Sequence, residues 1–294
     1  MKTTVSQKIS VVIPTYNGAQ FIREAIESVF KQTLLPQEIV VVDDASRDET
    51  SSIVTSMVPT APLPLRLIQL KTNSGGPALP LNIGIRETSG EFIAVLDQDD
   101  LFLRDKLEKQ IGLLVSHPQL VFAFSCCGNY NKPNQMLQSR LVIQKLLAIG
   151  KKIGEGRYQI RGKDILHLFM TKQRNYIFGY PGFVFRRKHW ERKGGLGEDL
   201  RIGSDYEFLC WLSLQGPVGF IPEISYLRRK HEMNFSDQLA WAIPIELKQI
   251  RAQYLPQERA LNSFSFIQSS LGILNRIRHH SLISRFLERT LDSK

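Results

Sequence analysis

Short apolar runs rich in branched side chains recur through the first part of the chain, each ending abruptly in polar residues. Ile9 to Pro14, Ile39 to Val42, Leu65 to Leu70 and Phe92 to Leu96 are too short for independent helices, so they predict buried strands. Between them the apolar spacing changes to that of helices. Phe21, Ile22, Ala25, Ile26, Val29 and Phe30 share one face, with Arg23, Glu24, Glu27 and Lys31 on the other. Ser46 and Glu49 stand at capping-box spacing before Ile53, Val54, Met57 and Val58. Pro77 suits a first helical position, with a short helix to about Glu87. Leu107, Ile111, Leu114 and Val115 form another helical face, and Leu120 to Ser125 another strand. Strands alternating with helical crossovers predict an α/β fold: a mostly parallel, Rossmann-like sheet with helices on both faces.

The pattern weakens from Cys127 to about Tyr176. Lys132-Pro133-Asn134 reads as a loop, Leu141 to Ile149 as a helix, and Lys151 to Arg161 as a basic, glycine-containing stretch. A surface excursion is the preferred account of that region, and recognition of a variable substrate is the other. Order returns with a strand at Tyr180 to Arg186. A strongly apolar helix (Phe208, Leu209, Trp211, Leu212, Leu214) follows Asp205, and Ile224 to Arg228 predicts a strand. From Asp237 to Lys294 the pattern is helical. Its last part, Phe264 to Leu291, mixes apolar residues with Arg276, Arg278, Arg285 and Arg289. Such a helix packs on its own domain or lies on an anionic membrane, and packing is preferred.

Composition narrows the class. With 294 residues, 43% hydrophobic and 22% charged, the chain can bury a substantial core. A net charge of +10 points to an anionic partner. The basic residues are scattered and match no nucleic-acid-binding motif, so no nucleic-acid partner is expected. Cys126, Cys127 and Cys210 form neither a disulfide framework nor a zinc spacing. Met1 to Ser10 is too polar for a secretory core and no apolar stretch reaches membrane-span length, so a cytoplasmic protein is expected.

The polar residues that follow the strands carry the chemistry. Thr15-Tyr16-Asn17, Asp43-Asp44, Asn73 to Gly76 and Asp97 to Asp100 all sit at strand carboxyl ends. In a parallel sheet those ends share one edge, where open α/β sheets bind ligands. Asp97, Asp99 and Asp100 would repel one another unless solvated or neutralised. They suit a hard divalent cation that also holds phosphate oxygens, or else an acidic turn capping the next helix. Pro14 to Gly18 is neither a dinucleotide fingerprint nor a Walker loop.

Val11 to Asn17, Ile39 to Ser46, Asn82-Ile83-Gly84 and Gly90 to Asp100, followed by Gly194-Gly195, Ser204-Asp205-Tyr206 and Arg229 to Ser236, together resemble the family-two glycosyltransferases. These are inverting enzymes with the A-type nucleotide-sugar fold. The resemblance is dense over residues 9–125 and sparser over 180–236. It implies a catalytic domain over 1–236, with a donor half at about 9–125 and an acceptor and base half at about 126–236. Residues 237–294 form a helical extension. Donor contacts are implied for Pro14, Thr15, Tyr16, Asp44, Asn73, Gly75, Gly76 and Asp97, with Asp44 at the base. Asp97, Asp99 and His231 are implied as metal or diphosphate ligands for Mn²⁺ or Mg²⁺, and Asp205 as the general base. Family members often carry an acidic residue before the base and Gly-Gly-Phe-Asp-Glu upstream. Here Ser204 precedes Asp205 and the upstream run is Gly194-Gly195-Leu196-Gly197-Glu198-Asp199, so Glu198 and Asp199 are rival bases.

The expected partners are a nucleoside-diphosphate sugar and an acceptor hydroxyl on a saccharide or lipid-linked saccharide. Peripheral contact with the inner membrane face through the basic C-terminal helices is the remaining partner expectation. A nucleotidyltransferase and a non-catalytic nucleotide-sugar binding module are the competing functions. The first would need a glycine- and arginine-rich loop after the first strand, and the second is opposed by the full acidic set.

Overall fold

A computed structural model describes residues 8–172, 177, 179–232 and 234–260. The basic stretch Phe264 to Leu291 lies outside these residues. Eleven strands form one sheet: β1 (Ile9–Thr15), β2 (Glu38–Asp43), β3 (Leu65–Gln69), β4 (Phe92–Val95), β5 (Leu101–Phe102), β6 (Phe122–Asn129), β7 (Lys132–Met136), β8 (Lys151–Gly154), β9 (Arg157–Ile160), β10 (Phe183–Arg186) and β11 (Val218–Arg228). The helices are α1 (Ile22–Phe30), α2 (Thr50–Met57), α3 (Ala78–Arg86), α4 (Lys106–Ser116), α5 (Arg140–Ile149), α6 (Gly162–Lys172), α7 (Arg187–Lys193), α8 (Ser204–Gln215) and α9 (Phe235–Gln238). Residues 243–260 are helical and are called α10.

The strand order is β3-β2-β1-β4-β10-β6-β11-β9-β8, with β5 on β11 and β7 on β6. The four N-terminal strands pair in parallel, and β6 pairs in parallel with β11. β10 runs antiparallel between β4 and β6. Parallel pairing puts the carboxyl ends of β1, β2 and β3 level, Thr15 beside Asp43 and Asp43 beside Gln69.

Alternating strand residues face two separate cores, as the period of two requires. Ile9, Val11, Ile13, Phe92, Ala94 and Leu96 pack with α1, α2 and α4. Val12, Ile93, Val95, Phe122, Phe124, Phe183 and Phe185 pack with α3, α6, α8 and α10. Helices therefore cover both faces. Among the described residues, no helix is long and apolar enough to cross a membrane.

Some local expectations fail for identifiable reasons. The Ser46–Glu49 capping box does not form, because Ser46 Oγ donates to Asp43 Oδ1 at 2.5 Å and α2 begins only at Thr50. Neither Asp99 nor Asp100 caps a helix: β5 follows them, and α4 starts after Asp105. Lys132-Pro133-Asn134 belongs to strand β7, and the basic stretch after Gly150 is the β8–β9 hairpin at the sheet edge.

Candidate active site

A cleft of about 690 Å³ runs along the carboxyl ends of β1, β2, β3 and β4. It is lined by Pro14, Thr15 and Tyr16 after β1, Asp44 after β2, Asn73, Gly75 and Gly76 after β3, and Asp97 and Asp99 after β4. Asp205 enters from the first turn of α8, and His231 from the turn after β11. Every site residue expected from the sequence lines this one cleft. The rivals Glu198 and Asp199 do not line it.

Asp44 organises the end of the cleft beside β2 and β3. Ser74 N reaches its Oδ1 and Oδ2 at 2.9 and 3.0 Å, and Ser74 Oγ and Asn73 Nδ2 reach Oδ2 at 2.8 and 3.1 Å. Among the described residues Oδ1 thus accepts only the Ser74 amide, which leaves it an acceptor direction. Burial raises the Asp44 carboxyl above its ordinary range, the Ser74 bonds act against that, and the Asp43 charge adds to it. The turn itself is strained: Asn17 and Ala45 lie in the left-handed region, at φ 48° and 62°. They are held there by Asn17 N donating to Ser46 Oγ and Arg47 N donating to Asn17 Oδ1. A smaller hollow of about 500 Å³, lined by Arg47, Gln69 and Lys71, opens beside Tyr16 and Asn73.

Gln98 does work the sequence did not reveal. Its Oε1 accepts from Thr15 Oγ1 at 2.5 Å and Tyr16 N at 2.8 Å, while its Nε2 donates to Tyr16 O at 3.1 Å. It clamps the β1 turn to the β4 turn, and a Cβ at Gly18 would collide with it. The available signal was its place in the same acidic turn, between Asp97 and Asp99, with which it lines the cleft.

The acidic end is compact. Burial, then the charges of Asp99 and Asp205, push the Asp97 carboxyl up to about 7, and Arg228 opposes them. Burial beside Asp97 and Asp99 likewise raises Asp100. Asp99 Oδ2 meets His231 Nε2 at 2.8 Å and Asn234 Nδ2 at 2.9 Å, and His231 N donates to Asn234 Oδ1 at 2.7 Å. The His231 ring packs on Phe21 at 4.4 Å, and its Nδ1 is buried without a hydrogen-bond partner. Arg229 lies over the rings of Phe21 and Tyr130, donates through Nε to Asp99 O at 3.2 Å, and bonds Glu24.

The donor set fits a divalent cation of a particular kind. Among the described residues, no three His, Cys, Asp or Glu side chains are arranged to hold an ion by themselves. Carboxylates at Asp97 and Asp99 nonetheless face the cleft, which suits an ion that takes one or two carboxylates and completes its shell with phosphate oxygens.

Comparison with known proteins places these features in a family. The family model described as Glycosyl transferase family 2 matches residues 10–192. An uncharacterized glycosyltransferase of Haemophilus influenzae is 26% identical over 215 residues, covering 71% of this chain and 63% of the relative. The poly(ribitol-phosphate) beta-N-acetylglucosaminyltransferase TarS of Staphylococcus aureus is 38% identical over 112 residues, covering 37% of this chain and 19% of TarS. An uncharacterized glycosyltransferase of Rickettsia typhi is 38% identical over 113 residues, covering 38% of this chain and 34% of the relative. The match thus spans 34% and 19% of the lengths of the Rickettsia typhi relative and TarS. Among solved structures, S. aureus TarS 1-349 in complex with UDP-GlcNAc superposes with a TM-score of 0.60 at 22% identity, covering 84% of this chain and 71% of that one. The mannosyltransferase PcManGT from Pyrobaculum calidifontis, in complex with GDP-Man and Mn²⁺, gives 0.57 at 26% identity, covering 87% and 64%. With more than half its length matched by the family model and its acidic residues gathered at the strand ends, the chain belongs to glycosyl transferase family 2.

Proposed function

We propose that this protein transfers a sugar from a nucleoside diphosphate to an acceptor hydroxyl, with inversion at the anomeric carbon. The observation that carries the proposal is the meeting of Asp44, Asp97, Asp99 and Asp205 in one cleft, from three separate elements: the turns after β2 and β4, and α8. Asp44 and the turn Pro14 to Tyr16 hold the nucleobase, with the hollow beside Arg47 and Lys71 at that end. Gly75 and Gly76 let the backbone approach the donor; Gly75, at φ 78°, uses a conformation glycine adopts freely. The ligands of TarS and PcManGT support a nucleotide-sugar donor.

Asp97 and Asp99, with His231 beside Asp99, would hold Mn²⁺ or Mg²⁺ on the diphosphate. When bound, that cation neutralises charge developing on the leaving group. Asp205 takes the proton from the attacking hydroxyl as the new bond forms. Direct displacement needs the base and the leaving group on opposite sides of the sugar, and the α8 turn and the β4 turn are separate elements that both reach the cleft. We place the acceptor among saccharides and lipid-linked saccharides of cell-surface polysaccharide or glycolipid synthesis. Phe235 and Ile243 line the cleft and stay 43% and 37% exposed, which supports an amphiphilic acceptor. The reaction is assigned to the cytoplasm, with the chain peripheral to the membrane.

Calorimetric titration of UDP, GDP, dTDP and CDP, with and without Mn²⁺, tests the donor site in the absence of any acceptor. One nucleotide is expected to bind only with Mn²⁺, and Asp99→Ala to abolish that binding. Asp205→Asn should keep nucleotide affinity within a few-fold while turnover of the matching nucleotide sugar drops by about 10²-fold or more. Binding of none of the four refutes the donor assignment. Loss of binding in Asp205→Asn would move that residue from base to donor ligand.

A further inference from the structure

The turn that leads into α8 is held from a distance. Glu246 of α10, only 7% exposed, accepts Arg201 N on Oε1 at 2.9 Å. Its Oε2 accepts Ile202 N at 3.1 Å and Gly203 N at 2.7 Å. Helix N-termini leave backbone donors without partners, and a carboxylate there also meets the favourable end of the helix dipole. The neighbouring side chain usually supplies the cap, but the residue before α8 is Gly203, which has none to offer. Close packing locks the arrangement. A Cβ on Gly203 would lie 3.1 Å from Glu246 Oε2, and one on Gly76 would lie 3.2 Å from Arg201 O. The 201–203 turn is thus gripped between the donor-side loop and α10, and Asp205 stands two residues further on.

We propose that Glu246 is a positioning residue for the transfer, fixing through this turn the depth and direction of Asp205 in the cleft. The inference rests on the assignment of Asp205 as the base. It gives one residue of α10, a helix beyond the region matched by the family model, a part in positioning Asp205. Simple anchoring of α10 is a separable role, because α10 has other anchors. Tyr254 donates to Glu207 Oε1, and Ile250 and Tyr254 are each 1% exposed.

Glu246→Ala, Glu246→Gln and Tyr254→Phe, made in the full chain, separate the two roles. Four quantities are read in each: amide exchange at residues 201–203, thermal stability, nucleotide affinity, and turnover of the matching nucleotide sugar with water as acceptor. Glu246→Ala is expected to lose protection at 201–203 and to lower kcat by about 10- to 100-fold, the scale of a misplaced catalytic group, with KM and nucleotide affinity nearly unchanged. Glu246→Gln, which keeps one acceptor oxygen, should fall between it and wild type. Tyr254→Phe should lower stability but leave protection and kcat unchanged. Retained protection in Glu246→Ala, or an unchanged kcat once protection is lost, overturns the proposal. So does a kcat loss that Tyr254→Phe shares in proportion to its stability loss. A wild type that binds no nucleotide refutes the donor assignment instead, and the exchange measurement alone then decides the clamp.

Discussion

Lys106 carries an ammonium group into a place with no solvent contact at all. Its Nζ donates to Gln110 Oε1 at 2.5 Å and lies 4.6 Å from the centre of the Phe102 ring, and no carboxylate pairs with it among the described residues. Burial lowers its pKa to about 7. An unfolded lysine stays protonated to about pH 10.4, so between these values the unfolded chain binds more protons than the folded one. Stability contributed at this position therefore rises with pH from about 7 to about 10 and is lowest on the acid side. Lys106→Met is expected to stabilise the fold by a few kcal/mol at pH 6, with the gain shrinking towards zero by pH 10. Chemical denaturation at several pH values checks this; a gain independent of pH would mean the ammonium is not the cause. The residue scale also shows what the sequence could reveal. Asp44, Asp97 and Asp99 were legible as candidates because carboxylates ending buried apolar runs need solvent or a partner, whereas Asp205, which opens an apolar helix, was singled out only through the family resemblance. Glu246 was not: its partners are backbone N–H groups 43 to 45 residues away, and one peptide N–H looks like another in a sequence.

At the scale of elements, α3 shows how closely a helix is set against the sheet. A Cβ at Gly84 would collide with Val12 Cγ1 and lie 2.9 Å from Val42 Cγ2, and both valines are stiff, branched and fully buried. Alanine favours a helix over glycine by about 1 kcal/mol, whereas overpacking a closed core costs about 1–3 kcal/mol. Gly84→Ala should therefore be net destabilising, by up to about 2 kcal/mol, seen as a lower melting temperature. A rise instead would show that α3 can lift off the sheet at little cost. The strands under α3 were readable because branched residues fill both of their faces. β7, β8 and β9 were not, since their Lys-Pro-Asn-Gln-Met, Lys-Lys-Ile-Gly and Arg-Tyr-Gln-Ile sequences are largely polar, with β7 and β8 mostly exposed and β9 half-buried. The failed capping box has the same lesson in reverse. Ser46 fits the motif, but the buried Asp43 carboxylate is the better acceptor for its hydroxyl.

For the whole molecule, the place of β10 governs the order of assembly. It lies between β4 and β6 in space but follows both in the chain, beginning only at Phe183. While the polypeptide is being made, β4 and β6 must wait with their facing edges unpaired until that strand emerges. The waiting edges belong to Phe-Ile-Ala-Val and to the strand that starts Phe-Ala-Phe, the kind of open apolar template that recruits other chains. A ribosome-bound chain halted before residue 183 is accordingly expected to be protease-sensitive and prone to aggregate, and one halted after β11 has cleared the exit tunnel to be protected. Equal protection at both lengths would show that the N-terminal strands fold alone. The central antiparallel strand is in this sense a timing device, making the N-terminal half of the sheet wait for the half that carries Asp205.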